Sequence, residues 1–310
     1  MLKLTLSAFG ASLLALGLIF NPAQAQQPTR VFVAAQGSNA NACSFALPCR
    51  TFQRAHDVVA AGGEIDVLDP AGYGALTITK AISIQGHDFS GLTVPSGGFG
   101  ITISAGVNDK VSLRGLIVDG AGSGVTGIRL NSAKSLIIEG CVIRNVTGTG
   151  LDLIVSAASN ILVNNTSVAG NGNDGIHLNV TGSDNVYLDL SRVGAHHNAN
   201  SGIALLGHGS GSVNATLSDS EFTGNGQNGV FVQEFSGLLS VMLNRSVISN
   251  NGGTGLFMQS GFTLLAQSTI AGNGTGYSIA PTAFVYTAGD NNLFNNHTHG
   301  SGTITQHPKE

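Results

Sequence analysis

Short apolar clusters recur along this chain on a nearly fixed step. A glycine followed by an apolar, a variable and a second apolar residue stands at GIRL (127), GLDL (150), GIHL (175), GIAL (202), GVFV (229), GLFM (255) and GYSI (276), the glycines 21 to 27 residues apart. A second motif keeps the same step: GLIVDG (115), GCVIRN (140), NTSVAGN (165), SRVGAHHN (191), SEFTGN (220), SVISNN (246) and STIAGN (268). Two motifs sharing one period mark a repeat architecture. Gly and Asn interrupt each unit too often for a 3.6-residue helical pattern, and the LxxLxLxxN spacing of leucine-rich repeats is missing. Short strands joined by tight turns remain. The pattern predicts an all-β fold, a single-stranded right-handed parallel β-helix with coils of about 25 residues. Eight to ten coils at ~4.8 Å per strand step would make a rod of about 40–50 Å.

The columns such a coil requires can be read from the second motif. Its central position holds Val118, Ile143, Val168, Val193, Phe222, Ile248 and Ile270. Five residues earlier stand Leu113, Ile138, Val163, Leu188, Leu217, Leu243 and Leu265. Two residues before the centre lie small groups, Cys141, Thr166, Ser191, Ser220, Ser246 and Ser268, which places Cys141 as a buried small residue rather than a nucleophile. Asn145, Asn171, Asn198, Asn225, Asn251 and Asn273 recur at the following turn, a position suited to a side chain that bonds nearby backbone and tolerates left-handed conformation. The many Asn-X-Ser/Thr triplets follow from that composition.

The two ends differ from the repeat. Lys3, the apolar run containing Leu13 to Phe20 and Ala23-Gln24-Ala25 have the form of a secretory signal over 1–25. Residues 26–63 read as a cap. Cys43 and Cys49 bracket a short loop and are expected to form a disulfide in an exported chain. After them TFQRAHDVVAAGG predicts a short helix, with Thr51 as cap, Phe52, Ala55 and Val59 on one face, and His56 at the surface. The β-helix is expected over 64–296 and a tail over 297–310.

Composition narrows the function classes. Charged residues are only 10% of the chain, but 42% hydrophobic residues argue for a packed fold rather than disorder. With a net charge of −4 and no basic run, a nucleic-acid partner is not expected. Nor is a membrane partner after signal removal, since no later stretch reaches the ~18 apolar residues of a spanning helix. A secreted or periplasmic location follows from the signal. Oligomeric state cannot be read.

The block GGEIDVLDPAGYGALTITKAISIQG resembles the first coil of exported pectate-lyase-like β-helix proteins. Their entry motif is a cap helix like the one preceding this block, then a G-x-Y turn, of which AGYG at 71–74 falls one residue short, and then I-x-I-x-K and I-x-I-x-G, here Ile78, Lys80, Ile82, Ile84 and Gly86. With the repeats, the resemblance spans residues 31–296. It implies the fold and a carbohydrate-related role. The same superfold hosts lyases, hydrolases, epimerases, tailspikes and non-enzymatic surface proteins, so activity has to be argued from the site. Gly207-His208-Gly209 resembles a polygalacturonase motif, but the Asn-Thr-Asp, Asp-Asp and Arg-Ile-Lys motifs of those enzymes are missing.

Candidate chemistry lies in the variable third position of the first motif. Its apolar neighbours point inward, so it points out. The outward column reads Arg129, Asp152, His177, Ala204, Phe231, Phe257 and Ser278, with Asp174 nearby. Arg129, Phe231 and Phe257 are candidates to bind a polysaccharide or oligosaccharide. Asp152, Asp174 and His177 are candidates for proton transfer in a polysaccharide lyase or glycoside hydrolase. The competing reading is a solvated charge ladder on a structural or adhesive rod, which the absence of Trp and the short turns favour. No cofactor is expected. Calcium stays open, although the acids are spread singly and form no clear cage. His196-His197 reads as an exposed turn pair before a metal site, and Arg114–Glu139 and Asp219–Arg245 as cross-strand charge pairs.

Overall fold

The computed structural model describes residues 27–307, so the expected signal segment lies outside the described residues. The chain winds into a right-handed parallel β-solenoid with one short helix. One side is a ten-stranded sheet running from Leu76–Ile78 to Thr298–Ser301, every pairing in it parallel. The rest of each coil belongs to a bent nineteen-stranded sheet, to which the first coils supply single strands such as Ile82–Thr93 and Lys110–Asp119, and the coils from Ser135 to Phe294 one longer and one three-residue strand, as in Ser159–Asn164 and Ser167–Ala169.

The first motif builds the ten-stranded sheet and supplies its inner face. Ile101, Ile128, Leu151, Ile176, Ile203, Val230 and Leu256 pair in register and are fully buried. Stacked aliphatic side chains fill the solenoid without a second layer. The turn ahead of this sheet explains why the motif begins with glycine. Asn171, Asn198, Asn225, Asn251 and Asn273 are buried, and each side-chain amide donates to the Oδ1 of the next, ending on Asn296, at 2.8–3.0 Å. Each Oδ1 from Asn171 to Asn296 also accepts a backbone N–H from the coil before. A Cβ on Gly175 would stand 2.6 Å from the Asn198 amide nitrogen, and one on Gly202 2.8 Å from that of Asn225. The two motifs are therefore one device: the asparagine ladder needs a glycine beside each rung.

Several ladder assignments shift by one or two residues. In the coil SRVGAHHN the central position is Ala195, which pairs with Val168 and Phe222, rather than Val193. The partner of Val163 and Leu217 is Leu190 rather than Leu188. Val193 in turn takes the place in the small-residue ladder expected for Ser191, and its N–H donates to Ser220 Oγ. Asn145 lies one residue ahead of the buried asparagines, at φ 57°, and Val146 occupies the rung position. Left-handed residues precede the rungs elsewhere too, at Gly170, His197, Gly224, Asn250, Gly272 and Asn295.

The expected cap is present. Cys43 and Cys49 are disulfide-bonded, and the helix Phe52–Val58 starts where Thr51 Oγ1 accepts from the Arg54 N–H. Phe52, Ala55 and Val59 are buried against the first coil. His56 is a correction: it is buried, and its Nε2 accepts the Thr79 N–H at 3.2 Å. Tyr73 of the AGYG turn packs on Phe52 and donates its hydroxyl to Asp69. At the other end, the segment expected as a tail contributes the paired strands Thr298–Ser301 and Ile304–Gln306.

Candidate functional site

The outward column of the ten-stranded sheet is continuous. Thr102, Arg129, Asp152, His177, Ala204, Phe231, Phe257 and Ser278 are successive partners in the strand register. Five coil steps separate Arg129 from Phe257, about 24 Å along the axis.

Asp152 organises the charged end. It is only 9% exposed, and each carboxylate oxygen faces one neighbour. Nδ1 of His177 donates to Oδ1 at 2.9 Å, and Nη1 of Arg129 stands 3.8 Å from Oδ2. With Nδ1 bound to an acceptor, His177 Nε2 is the ring nitrogen left for a ligand, and the ring is part-exposed. Such an imidazole can take up or give a proton from a fixed orientation.

Arg129 is held by residues the sequence did not single out. Its Nε donates to Asn131 Oδ1 at 3.1 Å, and Asn131 in turn donates to Ser104 Oγ at 3.0 Å. The guanidinium lies over the Phe99 ring, 5.3 Å from its centroid. A planar, fixed guanidinium at a surface is suited to a carboxylate. Asn131 stands two residues along the strand from Arg129, on the same face, and could have been read from the alternation; Phe99 stands three residues before Thr102, the column position one coil back, and could not.

Asp174 is placed differently. It is buried at the edge of the face, and its Oδ1 accepts from the Ser201 N–H at 3.0 Å and the Asn200 amide at 2.8 Å. Burial pushes its carboxyl above the ordinary carboxylate range, against those hydrogen bonds and the nearby His177. At the far end, Phe231 and Phe257 are half-buried, with ring centroids 5.4 Å apart and planes at 50°. Ala204 separates them from His177, leaving a shallow step between the charged and aromatic halves. Cys141 is buried where the sequence put it, and burial pushes its thiol up to about 11.

The charge pairs form as expected: Arg114 meets Glu139 at 3.2 Å, and Arg245 meets Asp219 at 2.7 Å. His196 bonds Thr223 Oγ1 at 2.8 Å. Among the described residues no group of three His, Cys, Asp or Glu side chains is arranged to hold a metal ion.

Residues 201–305 match the family model described as a right handed beta helix region. Among solved structures, pectate lyase Pel9A is similar to the chain at a TM-score of 0.65 and 17% identity, covering 90% of this chain and 78% of that one. The Dettilon tailspike protein gp208 is similar at a TM-score of 0.50 and 12% identity, covering 79% of this chain and 62% of that one. No curated protein matches the chain in sequence. Identities this low speak for the fold alone. The chain has the right-handed parallel β-helix fold of the pectate-lyase-like proteins.

Proposed function

We propose that the chain binds an acidic polysaccharide along the outer face of the ten-stranded sheet. The carrying observation is the Arg129–Asp152–His177 ladder, continued after the Ala204 step by Phe231 and Phe257. Arg129 would take a uronate carboxylate. The phenylalanine pair would offer apolar surface to sugar C–H groups. Asp152 then acts as a positioning residue: both its oxygens are engaged, and its charge holds the imidazole and the guanidinium on one side. Elimination is the catalytic chemistry this geometry favours, with His177 Nε2 as the base beside a carboxylate neutralised by Arg129. Glycoside hydrolysis needs two available carboxyl groups across the scissile bond, and Asp152 and Asp174 are both engaged and buried. The disulfide supports a secreted or periplasmic location.

The second reading, a non-enzymatic structural or adhesive rod, has one observation in its favour. From Thr126 to Ser301 no connection between strands exceeds six residues, so long loops do not wall the face. A glycan array and depolymerisation screen, with and without calcium, separates the two. The proposal expects wild-type binding to uronate-rich polymers that is lost in His177→Ala and Arg129→Ala. Failure to bind any polymer favours the rod.

A further inference from the structure

The outer face of the bent sheet carries a second feature, remote in register from the charged column. Tyr187, Asn214, Ser240, Phe262 and Phe284 are successive partners there, with Thr216, Met242, Leu264 and Tyr286 alongside. The Phe262 and Phe284 rings lie 13° from parallel with centroids 5.1 Å apart. That separation is close to one coil step, so the rings stack along the solenoid axis and turn faces, not edges, to their column neighbours. On the other side of Phe262 the neighbour is Ser240, too small to cover the ring. An open slot of about 280 Å³ results, lined by Asn214, Thr216, Ser240, Met242, Phe262 and Tyr286 among others.

The slot joins two kinds of surface. One wall is an exposed aromatic face. The rest of the lining sets the apolar Met242 and Leu264 side chains beside neutral polar groups, the Asn214 amide and the Ser240 and Thr216 hydroxyls, which have no side-chain hydrogen bond within the described chain. No carboxylate, ammonium or guanidinium lines it, and the nearest in the column is Asp189, beside Thr216. An aromatic side chain from another protein would stack on Phe262 but leave three polar groups desolvated and unpaired. An anion would meet Asp189 and no cation. A neutral sugar has an apolar C–H face and a rim of hydroxyls, and satisfies both surfaces.

We infer that this slot is a binding site for one neutral pyranose ring of a glycan, seated on Phe262 with its hydroxyls on Asn214, Ser240 and Thr216. The inference does not depend on the acidic-polysaccharide reading, because the two faces share no residue.

The test is a titration of the full chain with neutral gluco-, manno- and galacto-oligosaccharides, following the aromatic resonances of Phe262 and Tyr286 by NMR. Ser240→Phe extends the ring stack into the slot at an exposed position, and Phe262→Ala removes the platform. Shifts at Phe262 are expected in the wild type, with affinity weakened roughly tenfold or more in both variants and unchanged in His177→Ala. Three results would overturn the site: Phe262 resonances unmoved at saturating sugar, full binding retained in Ser240→Phe, or binding lost in His177→Ala. Phe262 shifts that depend on protein concentration rather than sugar would also overturn it, by assigning the face to a second copy of the chain.

Discussion

His177 donates from Nδ1 to Oδ1 of Asp152 across 2.9 Å, joining neighbouring coils through side chains as well as backbone. The carboxylate is nearly buried and also faces Arg129 at 3.8 Å. Removing it in Asp152→Ala leaves two cationic or polar partners unbalanced. A loss of about 2 kcal/mol is expected in urea unfolding. Arg129→Ala breaks the longer, part-exposed ion pair together with the exposed Asn131 hydrogen bond and the Phe99 stack, and is expected to lose less, about 1 kcal/mol. The reverse order would mean that Asp152 does not organise the column.

The asparagine ladder predicts a strong dependence on position. Asn225 accepts from the backbone and side chain of Asn198 and donates to Ala195 O and Asn251 Oδ1. Asn225→Ala would strand several of these buried groups at once and is expected to cost about 3–4 kcal/mol. Asn296→Ala, at the last rung, should cost less than half as much in the same denaturant measurement. Equal costs would contradict a ladder in which each rung serves both neighbours.

Gly202→Ala tests the coupling of that ladder to the first motif. The added Cβ would stand 2.8 Å from the Asn225 amide nitrogen and 2.8 Å from Gly229 O. Overpacking of this kind is expected to cost about 1–3 kcal/mol, and the loss should shrink in an Asn225→Ala background, which opens the space beside it. Additive losses would separate the two motifs.

A pH effect follows from His56. Burial, then the Lys80 charge, push its imidazole below the ordinary 6.5, and its Nε2 accepts the Thr79 N–H only when unprotonated. The unfolded chain therefore binds a proton that the folded chain does not. The stabilisation is fully present above about pH 6.5 and declines as the pH falls below it. Unfolding free energies of wild type and His56→Gln, compared from pH 7.5 to 5, should diverge least at the acid end. Parallel curves would refute the buried, neutral imidazole.

Much of the fold was legible because the repeat leaves two independent marks, glycine and asparagine, on one period. The missed registers have a physical reason. Leu188 and Leu190, or Val193 and Ala195, differ by two residues, and a shift of two in a strand keeps every side chain on the same face. Pattern alone cannot choose between them; the asparagine rung at Asn198 could have. His56 escaped because what buries it, around Thr79 and Lys80, lies in the following coil. In the candidate site the column itself was legible, since it needs only the alternation of the first motif. The engagement of Asp174 by Asn200 and Ser201 was not, because it crosses a turn to the next coil. The Phe262–Phe284 stack was passed over for another reason: in GFTLLA and AFVYT the outward residues are apolar too, so the strands show no amphipathic contrast.

The central claim, that the Arg129–Asp152–His177 face holds an acidic glycan, is tested most directly by calorimetric titration of an oligouronate into the chain. Phe262→Ala, which lacks the neutral-sugar platform of the other face, would be run with and without Arg129→Ala, with the neutral oligosaccharide of the same linkage as control. The account predicts saturable binding that requires the carboxylates and weakens at least roughly tenfold without Arg129. Equal affinity for the neutral chain, or binding indifferent to Arg129→Ala, would contradict it.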